Sequence, residues 1–145
     1  MVAGQLAPEG LDDVLTLDTS GVFSLLNRRD PDHERAKGAL LQAGGPFLVP
    51  SAILSEICYL VEARLAAALD AFLADLETGA YSLDCGEADF GRIRQLVSRY
   101  ADLPLGFSDA AVIACAERNG GLVLTFDLRD FGVVAREGGI QLTPQ

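Results

Sequence analysis

At 145 residues the chain is long enough to bury one hydrophobic core and too short for two domains of ordinary size. Half of it is hydrophobic, yet no apolar run approaches the ~20 residues of a membrane span, and the start MVAGQLAPEGLDD lacks the basic-then-apolar order of a secretion signal, so a soluble cytoplasmic protein is expected. A formal charge of −10 argues against holding nucleic acid by a broad basic surface, but not against phosphate chemistry at a metal site, where divalent cations among clustered acids cancel part of that charge.

Residues 1–13 carry Gly4, Pro8 and Gly10 without periodicity and read as a loose, disordered leader; 14–145 read as one domain. Val14-Leu15-Thr16-Leu17 is a short buried strand, ending at Asp18-Thr19-Ser20, which can cap a helix through Leu25 and Leu26. A second helix starts near Pro31-Asp32 and stops at Gly44-Gly45. Phe47-Leu48-Val49 is the next strand, and Pro50-Ser51 opens a long helix through Ile53, Leu54, Ile57, Leu60 and Val61. Helical patterns follow at 66–77 and 87–100, with strand residues Tyr81-Ser82-Leu83 between them. From Ser108, read as a cap, Asp109 to Cys115 and Ala116 is apolar nearly all round, which marks a helix packed on several sides. Leu122 to Thr125 is a strong strand, Asp127 and Asp130 fall at the start of a further helix, and Ile140-Gln141-Leu142 is a weak last strand. Short apolar strands alternating with helices imply an α/β/α sandwich around a mainly parallel sheet, with its site beyond the carboxyl ends of the strands.

Most of the 21 acidic residues need no explanation beyond solubility. Four stand out. Asp18 follows the first strand directly and Asp127 follows the Leu122–Thr125 strand by two residues, so both fall on one edge of a parallel sheet. Glu56 and Asp109 sit on helices with apolar neighbours, where a carboxylate loses hydration and needs a base, a hydrogen-bond network or a cation to compensate it. Singly, Asp18 reads as a helix cap, Asp109 as a charge matched to a helix N-terminus, Glu56 as a snorkelling or hydrogen-bonded side chain, and Asp127 with Asp130 as a helix start. Together they would repel one another unless a cation lay between them. Hard carboxylates suit magnesium or manganese.

Other chemistries lack their residues. His33, the only histidine, lies in the charged segment Asp-Pro-Asp-His-Glu-Arg and reads as a solvated helix start, which leaves no candidates for a Ser/His/Asp or Cys/His mechanism or a histidine-bound zinc. Cys58, Cys85 and Cys115 are odd in number and widely spaced, so they read as buried small hydrophobes rather than a disulfide or zinc framework. No P-loop or GxGxxG fingerprint is present. A phosphate-accepting aspartate of the receiver or haloacid-phosphatase type would want a late lysine, and none follows Lys37.

Four motifs in order, Leu17-Asp18-Thr19-Ser20, Leu54-Ser55-Glu56-Ile57, Pro104-Leu105-Gly106-Phe107-Ser108-Asp109-Ala110 and Leu124-Thr125-Phe126-Asp127-Leu128-Arg129-Asp130-Phe131, resemble the PIN-domain family, in particular the VapC-type toxins of bacterial toxin–antitoxin pairs. The resemblance implies a PIN-like three-layer α/β/α sandwich and an endoribonuclease that uses Mg2+ or Mn2+ and leaves a 5′-phosphate. Residue by residue, Asp18, Glu56, Asp109 and Asp127 take the places of the family's metal-binding, catalytic acids; Asp130, Thr125 and Ser108 are auxiliary. It further implies a cognate VapB-type antitoxin with a basic segment, an RNA substrate and a homodimer. The leader is longer than usual for such toxins and reads as a misassigned start or a disordered tail. The rival reading is a PIN-like module that binds RNA or protein without cutting.

Overall fold

The computed structural model describes residues 13–145. Apart from Asp13, which opens the first strand, the expected leader lies outside the described residues. In chain order the elements are β1 (Asp13–Leu17), α1 (Thr19–Leu26), α2 (His33–Ala43), β2 (Gly44–Pro50), a 3-10 turn (Ser51–Ile53), α3 (Leu54–Arg64), α4 (Ala66–Thr78), β3 (Ser82–Asp84), α5 (Phe90–Arg99), α6 (Phe107–Arg118), β4 (Leu122–Leu124), α7 (Leu128–Ala135) and β5 (Gln141–Thr143). The five strands form one sheet in the order β3-β2-β1-β4-β5, and every neighbouring pair is parallel. The expected α/β sandwich with a parallel sheet is the fold observed. Among the described residues no helix is long and apolar enough to cross a membrane.

The central strand explains the layering. Leu15, Thr16 and Leu17 are consecutive and all fully buried, so both faces of β1 are covered. Helix α2 packs on β1 and β2, and α6 packs on β1 and β4. Helix α6 fills the middle of the molecule: Ala110 through Ala116 are all buried, which small side chains allow without pushing the helix off the sheet. The chain runs from β1 outward to β2 and β3, then returns to the other side of β1 as β4 and β5, an order that crossovers of the usual right hand place on opposite faces of the sheet. The direction of winding therefore reverses between β1 and β4, and the loops leaving those two strands part to open a crevice.

Several boundaries move for physical reasons. The helix expected from Pro50-Ser51 begins with the 3-10 turn before α3, and the 87–100 pattern is helical only from Phe90 to Arg99, because Gly86 turns through a positive φ just before it. His33 is not a solvated helix start: its ring is 12% exposed, and Nδ1 lies 2.8 Å from the Ser24 carbonyl oxygen, tying α2 to α1. Of the cysteines, Cys115 is buried as expected, but Cys58 is only partly covered and Cys85 is exposed.

Away from the crevice, Arg118 at the end of α6 bridges two acids. Its Nε and Nη2 donate to Asp89 at 2.6 and 2.8 Å, and Nη2 also donates to Asp84 Oδ1 at 2.6 Å. The guanidinium holds the Asp84 carboxyl below its ordinary range, against the opposing effect of partial burial.

Candidate active site

Asp18 sits where β1 hands over to α1. Its backbone N–H donates to the Leu124 carbonyl of β4 at 3.2 Å, and its extended backbone caps α1, with Oδ1 accepting from Gly21 N at 2.9 Å. Ser20 Oγ donates to the same oxygen at 2.8 Å. Thr125 Oγ1 donates to Oδ2 at 2.7 Å. Asp18 is thus a helix cap and also a nearly buried carboxylate, 5% exposed. Burial raises its pKa, the three hydrogen bonds from Thr125, Gly21 and Ser20 pull it back, and the charge of Asp127 pushes it up further.

Gly21 makes this junction possible. A Cβ built there would lie 2.6 Å from the Leu124 carbonyl oxygen and 2.9 Å from its Cγ, so only glycine lets α1 press against the end of β4.

Asp109 enters from α6. The helix is capped by Gly106 without a side-chain bond, so Ser108 is not the cap expected from the sequence. It lies inside the first turn and lines the pocket beside Asp109. Asp127 follows β4 and occupies the cap position of α7, while Asp130 lies in the first turn of that helix and is buried. Carboxylate oxygens of Asp109, Asp127 and Asp130 all lie within 4.8 Å of one another. The Asp109 carboxyl is pushed up from 3.8 to about 6, first by burial and then by the charges of Asp127, Asp130, Asp18 and Glu56. No hydrogen-bond donor among the described residues counters that rise. Among the described residues the only cation touching the group is Arg129, whose Nε is 3.3 Å from Asp130 Oδ1 and whose side chain is 85% exposed, a pairing worth little.

Glu56 comes from the first turn of α3. Its apolar neighbours suggested a dehydrated carboxylate; the structure leaves it exposed. The buried side of α3 runs through Ile57 and Val61, one helical stripe that excludes both Glu56 and Tyr59, the latter 72% exposed. Glu56 is held instead by Thr19, whose Oγ1 donates to Oε1 at 2.5 Å.

These side chains meet in one cavity of about 260 Å³, with Asp18, Glu56, Asp109 and Asp127 on its walls together with Thr19, Ser20 and Ser108, and with Phe23, Ile53, Leu60 and Val112 as its apolar floor. Asp130 adjoins it through Asp109 and Asp127, and Thr125 supports Asp18 and the loop after β4, where its Oγ1 accepts from Asp127 N at 3.0 Å. Thr19 and Ser20 were read from sequence only as capping residues; the available signal was two hydroxyls directly after a strand-end acid. A crowd of oxygen ligands with only an exposed arginine at its edge fits a hard divalent cation, which would offset both the burial and the mutual repulsion that raise the Asp109 pKa.

The PIN domain family matches residues 15–137. Ribonuclease VapC26 of Mycobacterium tuberculosis is 29% identical over 132 residues, which span 89% of this chain and 98% of that protein. Among solved structures, Mycobacterium tuberculosis VapC20, described as a Sarcin-Ricin loop cleaving toxin, superimposes with a TM-score of 0.70 at 24% identity, covering 90% of this chain and 99% of the other. DNA-bound VapBC from Salmonella typhimurium does so with a TM-score of 0.58 at 26% identity, covering 90% and 96%. The family match runs from the central strand through α7, across every segment that lends an acid to the crevice, and on that ground the chain belongs to the PIN-domain family.

Proposed function

We propose that this protein is a metal-dependent endoribonuclease acting as the toxin of a toxin–antitoxin pair. The observation that carries the reading is the meeting of carboxylates from four separate segments in one cavity, within a chain similar along nearly its whole length to a ribonuclease. PIN-domain nucleases depend on a metal, and the all-oxygen donor set favours magnesium or manganese. In this reading Asp109, Asp127 and Asp130 hold the ion, Asp18 and Glu56 complete its surroundings, and the domain of residues 14–145 carries the whole activity.

A bound divalent cation supplies a water of lowered pKa and offsets charge that builds on the phosphate. The chain does the rest. An ion would draw down the raised pKa of Asp109, the three hydrogen bonds to Asp18 offset part of the burial that raises its own pKa, and the apolar lining limits competing water. No histidine lines the cavity among the described residues, so proton transfer falls to carboxylates and water.

The VapBC structure among the relatives and the net charge of −10 support a basic-segmented antitoxin as partner, whose cations would lie on the acidic crevice; we extend the proposal to a homodimer and to a cytoplasmic site of action. Purified protein should cleave RNA with Mg2+ or Mn2+, and not with EDTA. Asp109→Asn should abolish cleavage while retaining a native circular dichroism spectrum. It is a cleaner variant than Asp18→Asn, which would turn an amide N–H toward groups that now donate. Mg2+-dependent cleavage that survives in Asp109→Asn would overturn the assignment, and a protein that binds RNA tightly without cutting it would favour the binding module.

A further inference from the structure

Three successive residues at the start of α1 reach three different segments. Asp18 caps the helix through Gly21 N, so the hydroxyls of Thr19 and Ser20 are released from capping. Thr19 donates to Glu56, 37 residues away on α3. Ser20 Oγ donates to Asp18 Oδ1 and accepts the backbone N–H of Phe126 at 3.0 Å, next to Asp127. We propose that Thr19 and Ser20 are positioning residues that set the spacing of the carboxylates, Thr19 by tethering Glu56 and Ser20 by clipping the loop before Asp127 to Asp18. The proposal rests on the nuclease reading of this site.

Counting protons supports it. A hydroxyl has one hydrogen to give; Ser20 and Thr125 each give theirs to Asp18 and each accept one backbone N–H from the loop after β4, Phe126 N and Asp127 N respectively. The order runs from backbone amide to hydroxyl to carboxylate on both branches, so the loop's position depends on Asp18 remaining an acceptor. Thr19 meets a different need. Glu56 is exposed with several rotatable bonds, and a single tether removes much of the rotamer freedom that ion binding would otherwise have to remove. Groups that orient metal ligands typically contribute about 10–100-fold to metal affinity or activity.

The test uses the full-length protein as wild type, Thr19→Val, Thr19→Ser and Ser20→Ala. Calorimetry without RNA reads Mn2+ affinity, cleavage assays separate kcat from KM, and melting in EDTA checks the fold. Thr19→Val keeps the branched shape and loses only the hydroxyl. It and Ser20→Ala should each weaken Mn2+ binding or lower kcat by about 10-fold or more with the KM for RNA little changed, and Thr19→Ser should stay within about threefold of wild type, since its hydroxyl is kept. Thr19→Val matching wild type in both readouts, or Thr19→Ser failing as badly as Thr19→Val, would refute the role of Thr19; a Ser20→Ala protein with wild-type metal affinity and kcat would refute that of Ser20. A wild type that neither binds Mn2+ nor cleaves RNA would instead defeat the nuclease reading itself.

Discussion

Replacing Asp109 by asparagine removes one charge from a crevice where four other carboxylates already gather, and the metal-free protein should become more stable for it. The Asp109 carboxyl rises from 3.8 to about 6, which at about 1.4 kcal/mol per pH unit amounts to ~3 kcal/mol. The group is only half-buried, so solvent screening cuts this to ~1–2 kcal/mol. The lost attraction between a first-turn acid and the α6 dipole takes back about 0.5 kcal/mol, leaving a net gain of about 1 kcal/mol, or roughly 3–4 °C in Tm. The pH dependence gives the sharper check. Folded Asp109 keeps its proton to higher pH than the unfolded chain does, so its contribution declines as pH rises from about 4 to about 6 and is flat beyond. Urea unfolding in EDTA at pH 4, 6 and 7.5 should therefore show the Asp109→Asn advantage nearly absent at pH 4 and full at pH 7.5. Saturating Mn2+ should reverse the order, because an ion at 100 times its Kd adds about 2.7 kcal/mol to a protein that binds it. A variant less stable than wild type at pH 7.5 in EDTA, or an advantage independent of pH, would refute the crowding argument.

Three further outcomes follow from the geometry. Proton and ion compete for Asp109, so Mn2+ affinity measured by calorimetry should weaken as pH falls through about 6; affinity flat between pH 5 and 7.5 would contradict this. Gly21→Ala should destabilise by about 1–3 kcal/mol in denaturant unfolding, because its methyl meets backbone of β4 rather than a yielding side chain, and should lower cleavage by shifting Asp18; unchanged stability would show that α1 can retreat freely. Arg118→Met should cost about 1–3 kcal/mol by leaving the buried Asp89 carboxylate without its cation while leaving metal affinity within about twofold, its partners lying outside the crevice; loss of Mn2+ binding in a folded variant would tie the two regions together.

The strands and helices were readable because each depends on residues a few positions apart. Leu122-Val123-Leu124 is a short apolar run introduced by Gly120-Gly121, and the Ala-rich stretch after Asp109 shows its all-round burial in composition alone. Acids at the carboxyl ends of β1 and β4, Asp18 directly and Asp127 after Thr125 and Phe126, pointed to one sheet edge for the same reason. What stayed hidden depends on partners far along the chain. Glu56 looked dehydrated because its near neighbours are apolar, but which face of α3 turns inward is decided by Ile57 and Val61 against the rest of the core. Ser108 reads as a cap until Gly106 takes that place, and nothing near Gly21 or Arg118 in the chain announces the β4 backbone that crowds the one or the Asp84 and Asp89 that meet the other.

Thr125 and Asp18 bond to each other across 107 residues, and β4 enters the sheet beside β1 only after β2 and β3 have been made. A growing polypeptide still on the ribosome therefore holds an incomplete set of acids until Asp127 and Asp130 have emerged. Synthesis of such a fold carries its own delay: the acidic cluster cannot be completed until the stretch bearing Asp127 and Asp130 is free to dock beside β1.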